Sequence, residues 1–176
     1  MKIFTSYFYN IRYLKPHQLP ISTARYDPKW FHKNTDDQTV KFQAKTSKVI
    51  CGLRLECLHP DITCVNLCHG SELCQKANRT HETCEFLKAY RRQIFSLDKT
   101  KILTIFQQIA DRLSKQYKFK QEPEIILIVH EAPDNPCSER KILQEFFECE
   151  ELIVDKTPKK QPRRCLISGG FKTDDY

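Results

Sequence analysis

Glu124-Ile125-Ile126-Leu127-Ile128-Val129-His130 decides the fold. It contains five consecutive aliphatic residues, four of them β-branched, and branched side chains pack well on a pleated strand. Apolar residues at every position, rather than at alternate ones, require cover on both faces. That is the habit of a parallel sheet with layers above and below it. The run is far short of the roughly 20 apolar residues of a membrane helix, and no longer run occurs elsewhere.

Downstream, Glu131-Ala132-Pro133-Asp134-Asn135-Pro136 reads as a loop, and Cys137-Ser138-Glu139-Arg140 opens a helix carrying Ile142, Leu143, Phe146 and Phe147. Leu152-Ile153-Val154 and Cys165-Leu166-Ile167 are candidate further strands. Upstream, Phe86, Leu87, Tyr90 and Ile94 follow helical spacing, with Tyr90 inward and Arg91 and Arg92 outward. Ser96 and Asp98 offer N-caps for a second helix. Its apolar face reads Ile102, Ile105, Phe106, Ile109 and Leu113, and Lys115 and Lys118 suit its C-terminal dipole. Near the start, Lys2 to Phe8 and Leu19 to Arg25 read as strands, the second ended by Tyr26-Asp27-Pro28. Residues 33–48 are polar and read as a loop. Strands alternating with helices predict one α/β domain over residues 1–176: a single Rossmann-like, open, mostly parallel sheet flanked by helices. A length of 176 residues suits one such domain.

Residues 49–85 interrupt this pattern with six of the nine cysteines and little periodicity, so they read as a cysteine-rich irregular insertion. Nine is odd, which rules out complete pairing within the chain. The first residues carry no apolar secretory core, so a cytoplasmic location and free thiols, a metal site or a reactive cysteine are expected rather than a disulfide framework. Cys64-x3-Cys68-x5-Cys74-x9-Cys84 has the ligand type for structural zinc, with Cys57, His59, His69 and His81 as substitutes. An iron–sulfur cluster is the weaker choice, and small buried thiols are the plain alternative.

The net charge of +7 attracts polyanions such as nucleic acid, although the charges are spread along the chain and also suit an ordinary soluble surface. The densest basic run holds Lys159, Lys160, Arg163 and Arg164. Trp30-Phe31-His32 reads first as a core edge and second as a base-stacking element.

Ligands gather at the carboxyl ends of strands in open α/β sheets. Cys137 stands at such an end, at the start of a helix whose free amides stabilise anions and lower a thiol pKa. Arg140 can pair with a bound anion, Ser138 can cap or donate, and His130 and Glu131 are candidate proton-transfer groups. The competing reading makes Cys137 a small buried residue, Glu139 first-turn charge and Arg140 a surface ion-pair partner.

This segment resembles the end of the domain-of-unknown-function 488 family: a hydrophobic strand, Glu131-x-Pro133, Cys137, Arg140 and an apolar helix. Thr5-Ser6-Tyr7-Phe8, Pro20-Ile21-Ser22-Thr23-Ala24-Arg25 and Pro28-Lys29-Trp30-Phe31 resemble its opening, and Phe86 and Tyr90 its aromatic helix. The family usually has Cys-His-Arg where this chain has Cys137-Ser138-Glu139-Arg140. The resemblance covers both ends of the chain. It implies a Rossmann-like fold and a pocket lined by Arg25, Cys137 and Arg140, with no settled reaction. The expectation is a thiol-dependent enzyme whose arginines hold the anion of a nucleotide or nucleic-acid-derived substrate. The alternative is a non-catalytic nucleic-acid-binding accessory protein with a zinc-stabilised insertion.

Overall fold

The computed structural model describes residues 1–32, 39–41, 48–68, 82–132, 135 and 138–154. The decisive run forms strand β6 (Glu124–Val129), the centre of a five-stranded sheet. In chain order the other members are β1 (Lys2–Tyr7), β2 (Gln18–Ser22), β5 (Leu53–Arg54) and β7 (Glu150–Glu151). The sheet order is β5-β2-β6-β1-β7, and every pairing is parallel. Strands β1 and β2 flank β6, with Ser6 and Ser22 both in register with Ile128. A fold of the Rossmann-like α/β type is therefore present.

Residues Ile125 to Val129 are all fully buried. Each such side chain contributes about 1.5–3 kcal/mol of hydrophobic stabilisation. Their alternation divides the core in two. Ile125, Leu127 and Val129 pack into a cluster with helices α2 (Glu85–Phe95), α3 (Lys99–Tyr117) and α4 (Arg140–Phe147). Ile126 and Ile128 join Phe8, Ile11, Leu14, Phe31 and Val49 in the other cluster. That second layer consists of 3₁₀ turns at Phe8–Tyr13 and Lys29–His32 together with strand β4 (Lys48–Ile50).

Helix α2 buries Phe86, Leu87, Tyr90 and Ile94, the face its spacing predicts. Asp98 caps α3 by accepting from the Lys101 amide at 3.2 Å, whereas Ser96 ends α2. The buried face of α3 is Ile102, Phe106, Ala110 and Leu113; Ile105 is exposed, because a single stripe one hundred degrees wide leaves it at the margin.

Residues 33–48 are not all loop. Strand β3 (Thr39–Lys41) pairs antiparallel with β4, a contact between neighbours that polar composition does not reveal. Gly52 then turns the chain at φ 87°, a conformation that favours glycine, and delivers β5 to the sheet edge. The last strand among the described residues is Glu150–Glu151 rather than Leu152-Ile153-Val154, although the Leu152 amide still donates to the Thr5 carbonyl at 2.8 Å. Cys165 to Ile167 lie outside the described residues.

Within the cysteine-rich stretch, the described part contains a 3₁₀ turn (Glu56–Leu58) and the short helix α1 (Ile62–Asn66). Tyr90 ties this stretch to the helical layer: its fully buried hydroxyl donates to the Leu58 carbonyl at 2.6 Å. Among the described residues no helix is long and apolar enough to cross a membrane.

Candidate functional site

Strand β2 leaves the sheet under tight control. The Thr23 amide and hydroxyl both donate to the Ile128 carbonyl, each at 3.0 Å. Two residues later, Arg25 projects from this exit and donates through Nη1 to the Pro60 carbonyl at 3.3 Å. Its Nε is buried and has no hydrogen-bond partner among the described residues.

Arg25 is braced from behind. The Asp27 carboxylate is only 2% exposed and meets Arg54 Nε at 3.0 Å and His32 Nε2 at 2.7 Å. It also accepts from the Ser22 hydroxyl. Arg54 in turn donates to the Arg25 carbonyl at 3.2 Å. One buried carboxylate thus joins the loop after β2, the 3₁₀ turn at Lys29–His32 and β5.

The exit of β6 supplies the opposite charge. His130 is exposed, with its ring edge-on to Phe8 at 6.1 Å. Glu131 follows, half-buried, with a buried Oε2 that has no partner among the described residues. Arg140 is 4% exposed and donates through Nη2 to the Glu131 carbonyl at 2.7 Å. Its guanidinium also approaches Glu151 at 4.0 Å and the Tyr7 ring at 5.8 Å. Arg140 therefore holds the backbone after β6.

Glu139, at the N-cap of α4, is 3% exposed and lines the same cleft wall as Glu131. Burial first, and the Glu131 charge second, hold the Glu139 carboxyl well above the usual carboxylate range. Its own backbone amide and the adjacent Arg140 pull the other way, but desolvation outweighs them.

These groups open onto a cleft of about 360 Å³ at the carboxyl ends of β2 and β6. Its polar wall includes Arg25, His130, Glu131, Asn135 and Glu139. Phe86, Val65 and Pro60 give it an apolar side, and Cys68 also reaches it. The expected location at strand ends is thus where a cleft occurs. Arg25 lines it, Arg140 lies behind it, and Cys137 lies outside the described residues.

Of the four thiols read as zinc ligands, Cys64 and Cys84 are buried, Cys68 is exposed in the cleft, and Cys74 lies outside the described residues. Cys64 donates to Gln93 Oε1 at 3.6 Å, and burial followed by Asp61 pushes its thiol up to about 11. Burial likewise pushes Cys51 up to about 12 and Cys149 up to about 11. Among the described residues no three His, Cys, Asp or Glu side chains gather as a metal ion requires.

From sequence, Cys68 stands only among the metal ligands, and Glu139 reads as first-turn charge. A signal for Glu139 is present: it falls in helical phase with buried Leu143 and Phe146, on the face turned to the core. No signal marks Cys68, because the walls of the cleft meet only through the fold. No family model, curated protein or solved structure matches this chain.

Proposed function

We propose that the protein is a thiol-dependent enzyme whose carboxyl-edge cleft takes a small anionic substrate, nucleotide-sized or smaller. The observation that carries this reading is Arg25, a cation in the cleft wall with a buried Nε that no described residue occupies. Arginine suits phosphate and carboxylate because its planar donors match two oxygens at once. A volume of about 360 Å³ lies near the lower end of ligand pockets, which suits a mononucleotide better than a strand. Cys137 remains the proposed nucleophile or redox thiol. Asn135 and Glu139, two residues before and two residues after it in the sequence, both line the cleft. Arg140 has a different part in this reading from the one its motif suggests: it fixes the Glu131 peptide and so shapes the anion site. Likeness to the domain-of-unknown-function 488 family supports the same arrangement of Arg25 and Cys137.

The test is equilibrium binding of a mononucleotide together with iodoacetamide labelling at neutral pH. Arg25→Ala is expected to weaken binding at least tenfold, and bound nucleotide is expected to protect Cys137 from alkylation. Unchanged binding in both Arg25→Ala and Cys137→Ala would remove the assignment.

A second reading, a non-catalytic nucleic-acid-binding protein with a zinc-stabilised insertion, draws on a different surface. Tyr7 stacks on Tyr9 at 6.2 Å, Tyr9 meets Tyr13 at 6.1 Å, and Arg12 lies 3.8 Å over the Tyr9 ring. The exposed Tyr9, flanked by half-buried Tyr7 and Tyr13 and topped by an arginine, makes a platform for an unpaired base. Salt-dependent retention of single-stranded DNA that survives Cys137→Ser but not Tyr9→Ala would favour it. About one zinc per chain by elemental analysis would support the proposed insertion site, where Cys64, Cys68, Cys74 and Cys84 would serve as ligands.

A further inference from the structure

Two carboxyl groups face a cleft that also presents a cation. Glu139 is 3% exposed, and it lines the same wall as Glu131 and Arg25. A carboxyl buried this far, with a second carboxyl on the same wall, favours its neutral form. Glu131 Oε2 and Arg25 Nε, both buried, are without partners among the described residues. A ligand carrying both an oxyanion and a hydrogen-bonding group answers both atoms.

Other charges set the pair's environment. Arg140 of α4 stabilises the carboxylate form. Tyr90 of α2 is fully buried and senses both glutamates, together with Cys57 and Cys64. His130 at the end of β6, Arg25 beyond β2 and Cys68 after α1 line the cleft around it.

We propose that Glu139, a neutral acid in the cleft wall, is the proton donor of the cleft, and that the oxyanion held by Arg25 binds together with that proton. This rests on the reading of the cleft as an anion site. The neutral acid gives a hydrogen bond to the ligand. Loss of its proton places two negative charges beside the bound anion and expels it. The site is thereby selective for oxyanions that offer an acceptor to a neutral acid, and it releases them as the pH rises.

The probe is inorganic sulfate, which does not itself titrate over the range used. Sulfate affinity is measured calorimetrically on the full chain from about pH 5.5 to about pH 8.5, for wild type, Glu139→Gln and Arg25→Gln. The infrared carbonyl band of neutral carboxyl groups is followed without ligand. Wild type is expected to show the band at neutral pH and to lose affinity about tenfold per pH unit once Glu139 titrates. Glu139→Gln is expected to lack the band and to bind with little pH dependence, and Arg25→Gln is expected not to bind. Should Glu139→Gln fail to fold, Glu131→Gln serves instead, and the band is expected to disappear at a lower pH than in wild type. Sulfate affinity independent of pH, or no neutral-carboxyl band, would overturn the proton-donor assignment. A band present with no sulfate binding at any pH would overturn the anion reading of the cleft instead, leaving the carboxyl pair in place.

Discussion

Asp27 shows how one side chain can organise a site it does not enter. Its buried carboxylate gathers Ser22, His32 and Arg54, and Arg54 passes the constraint to the backbone of Arg25. Removing one member of a buried ion pair costs more than the pair itself contributes, because the other charge is left poorly solvated. Asp27→Asn is expected to cost about 2–3 kcal/mol, read as a lower urea midpoint with unchanged slope. An unchanged midpoint would mean that Arg54 and His32 find equal partners in water. Arg25 and the strand-end position were legible because they are local facts: an arginine just past a strand, a loop just past an aliphatic run. Asp27 was legible only as a turn residue in Tyr26-Asp27-Pro28, since Arg54 and His32 reach it through tertiary contact.

Helices declare themselves through their periodicity, and the margins of that signal are where it fails. On α3, Phe106 is fully buried whereas Ile105, its neighbour in sequence, is 36% exposed. Phe106→Ala is therefore expected to cost about 3–5 kcal/mol, and Ile105→Ala under about 1 kcal/mol. Similar costs measured by chemical denaturation would contradict the burial pattern. Strand β6 and helix α2 were readable because each has a full face of apolar residues in one continuous run. Strands β3, β5 and β7 have only two or three residues each, too few for a period, and exist through the partners they meet. Tyr90 shows the same division. Its inward direction follows from spacing, but the carbonyl of Leu58 that receives its hydroxyl does not.

At the scale of the whole molecule, the buried titratable groups oppose one another in pH. Glu139 is raised above its ordinary 4.5, so its stabilisation is complete below that value and is lost as pH rises. Burial lowers His17 and His59 below their ordinary 6.5, so their contribution is present above that value and lost as pH falls. Above about pH 6.5 the histidines are neutral in both states, and the decline belongs to Glu139 first and, towards the ordinary thiol value of 9.0, to Cys51, Cys64 and Cys149 as well. The melting temperature of wild type is expected to decline between about pH 6.5 and about pH 8, and Glu139→Gln to flatten that decline. A decline of equal size in both proteins would assign it to other groups.

The sheet order has a consequence for how the chain is made. Strands β1 and β2 are the first two produced, yet they never touch as neighbours, because β6 lies between them. Their mutual partner begins at Glu124, so a nascent chain must hold two unpaired edges apart until most of its length has emerged. Domains ordinarily begin folding from the N-terminal side during synthesis. Here that order is suspended: the strand made late is the keystone, and its arrival joins the two early strands into one sheet. Truncation before residue 124 leaves a chain with its sheet unclosed and its Lys2–Tyr7 and Gln18–Ser22 edges open to other chains.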